Sequence, residues 1–225
     1  MEMTVAAALL TRIFSGIDLG ILSLMHTLAE RAGFLLTPLC RLVTLLGEKG
    51  ILFFLLALAL MCFAETRPLG VCLFGALCCG ALITNILLKD WVARPRPFET
   101  LAVYREWWTA IGCPAEDGYS FPSGHVTAAA AAMCSLCFMR GKRWVWPAAG
   151  VIALMAFSRN YLMAHYPSDV LAAVLIGLFS AWVAYHITRQ IFAFFVTRKK
   201  GDRLARFVLY WNLPLPSFLT YKGKH

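Results

Sequence analysis

Residues whose types and spacing could do chemistry fall into three clusters. The first pairs Lys89 with Arg96, seven residues on, and Pro97 follows directly. On an uninterrupted helix seven residues turn through about 700°, so both cations would share a side. Pro95 and Pro97 make the end of that stretch extended, and a helix running into a loop lets the two cations converge on one anion. Arg94, before Pro95, is a competing cation that stands off that face. The second cluster is Phe121-Pro122-Ser123-Gly124-His125, directly before an apolar run. Ser123 is placed to cap a helix whose free first-turn amides, with Gly124 permitting close approach, form an anion site. His125 projects from that turn. The third cluster is Arg159, His165 and Asp169. Arg159 ends an otherwise apolar helix, where a charge is costly and marks function. Asp169 begins the next helix and is expected to accept a hydrogen bond from one ring nitrogen of His165, which leaves the other free as a nucleophile.

Each cluster alone has a plainer reading: snorkelling cations at a membrane boundary, a capped helix with an interfacial histidine, a capping Asp beside a stray His. Together they supply cations, a helix N-terminus, a pair of histidines and an orienting carboxylate. Phosphoryl chemistry asks for that inventory: cations and amides for the equatorial oxygens, a nucleophile in line and an acid for the leaving oxygen. No carboxylate cluster for a metal accompanies it, so the reaction is expected to use neither metal nor cofactor.

The rest of the chain must position these residues. It has 225 residues, 60% hydrophobic and 15% charged, with a mean hydropathy of +0.69; soluble domains run near 45–50% and 25%. This excludes disorder, collagen-like repeats and a soluble enzyme with one apolar core, and no polar linker divides residues 1–225 into more than one membrane-embedded domain. Residues 50–64, 68–88, 118–139 and 170–188 contain no Asp, Glu, Lys or Arg, and 144–163 is interrupted only by Arg159. About 20 such residues cross a bilayer. A weaker segment, 32–47, broken by Arg41, reads as a first crossing or as a helix that dips into the membrane. The expected architecture is an all-α polytopic membrane helix bundle of five to six transmembrane helices. Residues 1–30 are expected to precede it as an amphipathic helix in the interface. They do not read as a signal peptide, because Glu2 comes before any basic residue and Arg12 interrupts the apolar stretch.

Counting crossings places residues 90–122 and the 165–169 connection on one face, with the 140–143 loop and the 198–225 tail on the other. Arg140, Lys142, Arg143, Arg198, Lys199, Lys200, Arg203, Arg206, Lys222 and Lys224 stand on that second face against Asp202 alone. The positive-inside bias makes it cytoplasmic and 90–122 an extracytoplasmic active-site loop. The net charge of +9 is therefore juxtamembrane and points to anionic lipid headgroups at the tail, not to nucleic acid. Cys134 and Cys137 have the spacing of a metal or redox pair, but they lie inside an alanine-rich helix and read as packing. His26, His186 and His225 likewise read as packing or solvation. Trp107, Trp108, Trp144, Trp146, Tyr210 and Trp211 read as interfacial anchors.

Lys89-x6-Arg96-Pro97, Pro122-Ser123-Gly124-His125 and Ser158-Arg159-x5-His165-x3-Asp169 resemble, complete and in order, the three-part signature of the type 2 phosphatidic acid phosphatase superfamily. That superfamily also includes vanadium haloperoxidases and glucose-6-phosphatase. The resemblance implies that His165 attacks phosphorus to form a phosphohistidine and that Asp169 orients it. It implies that His125 protonates the leaving alkoxide or phosphate and then activates water, while Lys89, Arg96, Ser123, Gly124 and Arg159 hold the phosphoryl oxygens. One departure is that only a short apolar stretch precedes Asp18, where six-span members often have a full first crossing. The expected substrate is a membrane lipid phosphate or diphosphate (undecaprenyl diphosphate, phosphatidylglycerol phosphate or phosphatidic acid) entering from the outer leaflet of a cell membrane, the inner one in a bacterium. A polyprenyl diphosphate is expected to be hydrolysed at least as well as a glycerophospholipid phosphate, with Arg94 near enough to help hold a second phosphate. A lipid or glycan phosphotransferase would share the His165 intermediate. A transporter or channel would place its charges near the bilayer midplane at broken helices, not at one interface.

Overall fold

The Thr4 hydroxyl accepts the Ala7 amide at 3.1 Å and starts the first helix, α1, Val5–Leu46. The structure, a computed structural model, describes residues 3–213; Glu2, Lys222, Lys224, His225 and the tail beyond 213 lie outside the described residues. Ala32 leaves helical geometry (φ −135°, ψ 20°) and parts α1 near the expected junction of the 1–30 and 32–47 segments. Along its whole length α1 touches one end of the molecule. The Thr4 hydroxyl donates to the Val92 carbonyl. Asp18 accepts the Ser168 amide at 2.9 Å, Arg41 donates to the Ile111 carbonyl at 2.9 Å, and Thr44 accepts from Arg159 at 3.3 Å. The helix therefore skirts the end where the connections between the long helices gather. Its outer face leaves Leu9, Ile13, Ile17, Leu24, Phe34 and Leu35 exposed, a surface suited to lipid rather than water.

From Gly50, α2 (Ile51–Met61) leads to the opposite end, and α3 (Arg67–Ala81) returns. A π-helical turn, Leu82–Leu88, carries α3 into the single turn of α4, Lys89–Val92, which Ala93 ends in the left-handed region at φ 49°. The helix thus stops three residues past Lys89, and the non-helical stretch 93–96 carries Arg96 to the same cavity wall as Lys89, the helix-then-loop shape that Pro95 and Pro97 lead one to expect. Pro97 opens α5 (Pro97–Thr100) with its ring at the first helical position, where no amide is missed, and the Glu99 carboxylate accepts the Arg96 amide at 2.7 Å. Then come α6 (Ala102–Ala110), α7 (Gly124–Arg140), α8 (Val145–Tyr161), α9 (Pro167–Arg198) and α10 (Arg203–Tyr210). Residues 118–122, counted with a span because they lack charge, are loop, and their backbone serves the site described below.

All regular structure among the described residues is helical. Three helical stretches, Val5–Met61, Arg67–Thr100 and Pro167–Arg198, are long and apolar enough to cross a membrane; α7 and α8 hold 17 residues each. Small residues let α7 and α9 approach closely. A Cβ on Gly177 would lie 2.5 Å from Ala130 Cβ and 2.8 Å from the Thr127 carbonyl, and Ala129, Ala130 and Ala131 are buried between them, the packing that membrane helices use in place of large apolar knobs. At the end away from α1, buried Arg67 donates to the carbonyls of Met61, Val208 and Trp211. The Leu213 amide reaches the Cys62 carbonyl at 2.9 Å and Arg140 the Glu65 carbonyl at 3.4 Å. The 140–143 loop and the start of the tail therefore share one end, opposite residues 93–123.

Candidate active site

His165 lies in the turn between α8 and α9 and is 2% exposed. Its Nδ1 is 2.6 Å from the Ser120 carbonyl oxygen. A carbonyl only accepts, so Nδ1 carries the proton and Nε2 keeps its lone pair. Burial, then the charges of Arg159, Arg96 and His125, hold the ring's pKa well below its ordinary 6.5, so it stays neutral and nucleophilic at neutral pH. The expected hydrogen bond from His165 to Asp169 is not the one the structure makes: Oδ2 of Asp169 is 4.0 Å from Nδ1. That oxygen accepts the Ser120 hydroxyl at 2.5 Å and the Tyr166 amide at 3.0 Å, and Oδ1 takes Arg94 at 2.5 Å. Asp169 is at the third helical position after Pro167, so its side chain turns back to the start of α9. It fixes Ser120, and the Ser120 carbonyl fixes the ring.

Arg94 also corrects an expectation. It is 1% exposed and lies between Asp169 and Asp18, the latter at 2.9 Å. Its guanidinium stacks 3.8 Å from the Tyr166 ring centre and donates to Ser168 Oγ at 2.8 Å. A cation so committed is not a ligand for a second phosphate. Asp18 was invisible as a site residue, although an acid within an apolar helix is itself a signal that some buried partner exists.

Arg96 and Arg159 meet differently. Arg96 gives its hydrogens to the carbonyls of Gly118 (2.9 Å), Asp117 (2.6 Å) and Ala164 (2.8 Å). Its charge faces Glu116 at 3.2 Å, and the other oxygen of that carboxylate binds Arg159. Two guanidinium groups thus converge on one point, as expected for an anion seat. Ser123 precedes α7 but makes no side-chain cap, contrary to expectation; its Oγ is buried and finds no hydrogen-bond partner among the described residues, and neither does Nε of Arg159. Buried polar atoms are rarely left unpaired, so each of these two has capacity for a further hydrogen bond. His125, in the first turn of α7, has Nε2 3.3 Å from Glu48.

A cavity of about 670 Å³ opens on this group, with Lys89, Arg96, Gly124, His125 and His165 in its wall. Phe54, Leu77, Ala81 and Ala128 form an apolar side of the same cavity. The structure therefore brings all three sequence clusters to one place. Glu116, Glu48, Asp18, Arg94 and Ser120 join them from segments no local spacing connects. His26 instead stacks on Trp107 at 4.9 Å and His186 packs against Trp182 at 4.9 Å.

The fold and this constellation define a helical membrane protein with a cationic, two-histidine anion site. The sequence pattern of the PAP2 superfamily matches residues 69–193, and the chain belongs to that superfamily. It is 29% identical over 128 residues to an undecaprenyl-diphosphatase of Sulfolobus acidocaldarius, covering 56% of this chain and 57% of that one. To phosphatidylglycerophosphatase B of Bacillus subtilis it is 33% identical over 106 residues, 43% of this chain and 47% of the other. The matches thus span about half the length of these relatives. The crystal structure of a PAP2-type phosphatidylglycerolphosphate phosphatase from Bacillus subtilis has the same fold, with a TM-score of 0.54, 19% identity, and coverage of 89% of this chain and 99% of that one.

Proposed function

We propose that the protein is a membrane lipid phosphatase acting on lipid phosphate monoesters or diphosphates through a phosphohistidine at His165, without a metal. The observation that carries this reading is the single cavity in which a neutral, buried imidazole, a second histidine and the cationic seat adjoin an apolar wall able to take a lipid chain. Nε2 of His165 forms a bond to phosphorus as the bond to the leaving oxygen breaks, and His125, protonated from solvent once the anionic phosphoryl group lies beside it, delivers that proton to the leaving oxygen. His125 then takes a proton from water, whose oxygen bonds to phosphorus while the P–N bond breaks and frees phosphate. From a diphosphate the same steps leave the lipid monophosphate. Lys89, Arg96, Arg159, Ser123 Oγ and the first amides of α7 hold the equatorial oxygens. Relatives named for undecaprenyl diphosphate and for phosphatidylglycerophosphate both support a lipid substrate.

In this reading the end bearing the site faces outward from a cell membrane, crossed by five to six spans, because the basic residues gather at the other end, where anionic headgroups meet them. Phosphate release by the purified protein in detergent, from a panel of lipid phosphates and diphosphates, tests the reading. His165→Ala should lose at least about 10³-fold in kcat, and full turnover in that variant, or abolition by chelator with recovery on adding metal, would sink it. Orientation is read separately by labelling a cysteine introduced at Arg105: reaction only after the inner face is opened would reverse it.

A further inference from the structure

The two histidines of the cavity have different partners. Nδ1 of His165 meets a carbonyl, that of Ser120, while Oδ2 of Asp169 stands off at 4.0 Å. Nε2 of His125 meets a carboxylate, Glu48, at 3.3 Å, and no other carboxylate touches that ring among the described residues. A carbonyl suits a neutral imidazole with one fixed proton, whereas a carboxylate favours the imidazolium. Groups that act as nucleophile and as acid in one cavity must be set apart in this way. Glu48 belongs to none of the three sequence clusters. It comes from the turn between α1 and α2, whose backbone is fitted to His125. A Cβ on Gly47 would lie 3.4 Å from Cδ2 of His125 and would clash with the methyl of Met155, so only glycine lets the chain come this near the ring. Lys49 (φ 48°) and Gly50 (φ 68°) follow in the left-handed region, where a lysine is disfavoured. A Cβ on Gly50 would come within 3.2 Å of Ala128 Cβ on α7. The turn thus sets a carboxylate against the Cδ2–Nε2 edge of the ring, and Nδ1 is the nitrogen left to gain and lose a proton.

The other charges acting on His125 are cations: Arg159 of α8, Arg96, and Lys89 of α4. His165, itself neutral, is the other titratable group beside it. Glu116 is taken up by Arg96 and Arg159, Arg41 donates to the carbonyls of Ile111 and Gly112, and Lys49 and Asp117 complete the charged residues of the cavity wall. The three cations repel a proton on the ring; Glu48 is the anion that draws one. We propose that Glu48 is the positioning residue of His125, holding the ring by its Nε2–H and favouring the protonated form that serves the leaving oxygen; this rests on the phosphatase reading above. When a phosphoryl anion offsets the cations, the imidazolium held by Glu48 gives its Nδ1 proton to the leaving oxygen as the P–O bond breaks. It regains a proton from the water that then attacks phosphorus. Glu48 keeps its charge throughout and touches no reacting atom.

The test follows kcat against pH, in one detergent, for the lipid phosphate of the panel above that wild type turns over fastest. Loss of the acid's proton in the bound complex gives kcat its alkaline limb. Glu48→Gln keeps an acceptor for Nε2–H and removes the charge, so the ring gives up its proton at lower pH. The limb should move down by about half a pH unit, a modest shift because Glu48 is 46% exposed, and kcat beyond it should fall about threefold. Glu48→Ala, which also frees the ring, should lower kcat about tenfold on both sides of the limb. In a His125→Gln background, where the acid is already gone, Glu48→Gln should change kcat less than about twofold. A limb that is absent or stays in place overturns the proposal, as does an equal loss in the His125→Gln background, which would have Glu48 acting on another group. Failure of both Glu48→Gln and Glu48→Ala to fold, read by thermal midpoint, also overturns it, since the carboxylate is then a structural tie. Wild-type protein that releases phosphate from no lipid of the panel rejects instead the phosphatase reading itself.

Discussion

Arg94 and Arg96 stand two residues apart on one extended stretch, and both are almost wholly buried. Arg94 is one cation between two carboxylates, Asp18 and Asp169, with Ser168 and the Tyr166 ring completing its shell. Arg96 is one of two cations that share a single carboxylate, Glu116, with Lys89 in the wall of the same cavity. The first group is closed, and every charge in it is answered by protein. The second has more positive charge than its one carboxylate answers, and Nε of Arg159 has no hydrogen-bond partner among the described residues, which is why the proposed function seats an anion there. A buried cluster whose charges are all met by protein groups frames the site, and the neighbouring cluster has cations in excess, where the proposed reading seats the ligand.

That contrast breaks most visibly at Arg94. Arg94→Met keeps the volume but strands two buried carboxylates, and the expected loss of stability is about 3–5 kcal/mol; thermal unfolding in detergent measures it, and an unchanged midpoint would dissolve the distinction. Arg159→Met takes a cation from the cation-rich group. It should lower kcat/KM about 10²–10³-fold while the midpoint stays close to wild type, whereas melting like Arg94→Met would make the pair with Glu116 a structural one.

Ser123→Ala sharpens the comparison further. The hydroxyl has no hydrogen-bond partner among the described residues, so stability should not fall, but losing a donor or acceptor for a phosphoryl oxygen should reduce kcat/KM by up to about tenfold. Equal activity would place the ligand elsewhere. The smallest effect concerns pH. The folded protein holds His165 below its ordinary 6.5, so as pH falls under that value the unfolded chain takes up a proton before the folded one does. The contribution of His165 to stability is whole above 6.5 and is lost as pH falls toward the folded pKa, by at most about 1.4 kcal/mol per pH unit. His165→Gln should therefore lose less stability than wild type between about pH 7.5 and pH 5; parallel curves would mean that the ring takes up its proton at the same pH folded and unfolded.

The cation-rich candidate site was legible in the sequence because its parts keep short, fixed spacings: Lys89 to Arg96, Ser123 to His125, Arg159 to His165. Helix periodicity and proline placement act over the same few residues. The framing group was not, because its contacts join residues far apart in the chain. Asp18 reaches Arg94 across 76 positions and Ser168 across 150, and nothing local to either end announces the other. For that reason local spacing alone makes Arg94 look like a spare phosphate ligand. Asp169 was placed correctly at the start of α9, but spacing does not reveal that Ser120, 49 positions away, stands between it and His165. Apolar runs located the long helices; they overran α7 at 118–122, where uncharged residues form a loop whose carbonyls bind Arg96 and His165.

The spacing of Asp18, Arg94 and Asp169 also has a meaning in time. A ribosome delivers them in that order, at intervals of 76 and 75 residues. α1 arrives with an acid that has no counterion, and the Arg94 that answers it comes only after α2 and α3 have been made. Arg94 then waits for α9, the last long helix, before its second carboxylate exists. Completion of this charge group therefore coincides with completion of the helical set, and a chain halted before α9 lacks Asp169, and with it the carboxylate that fixes Ser120 behind His165.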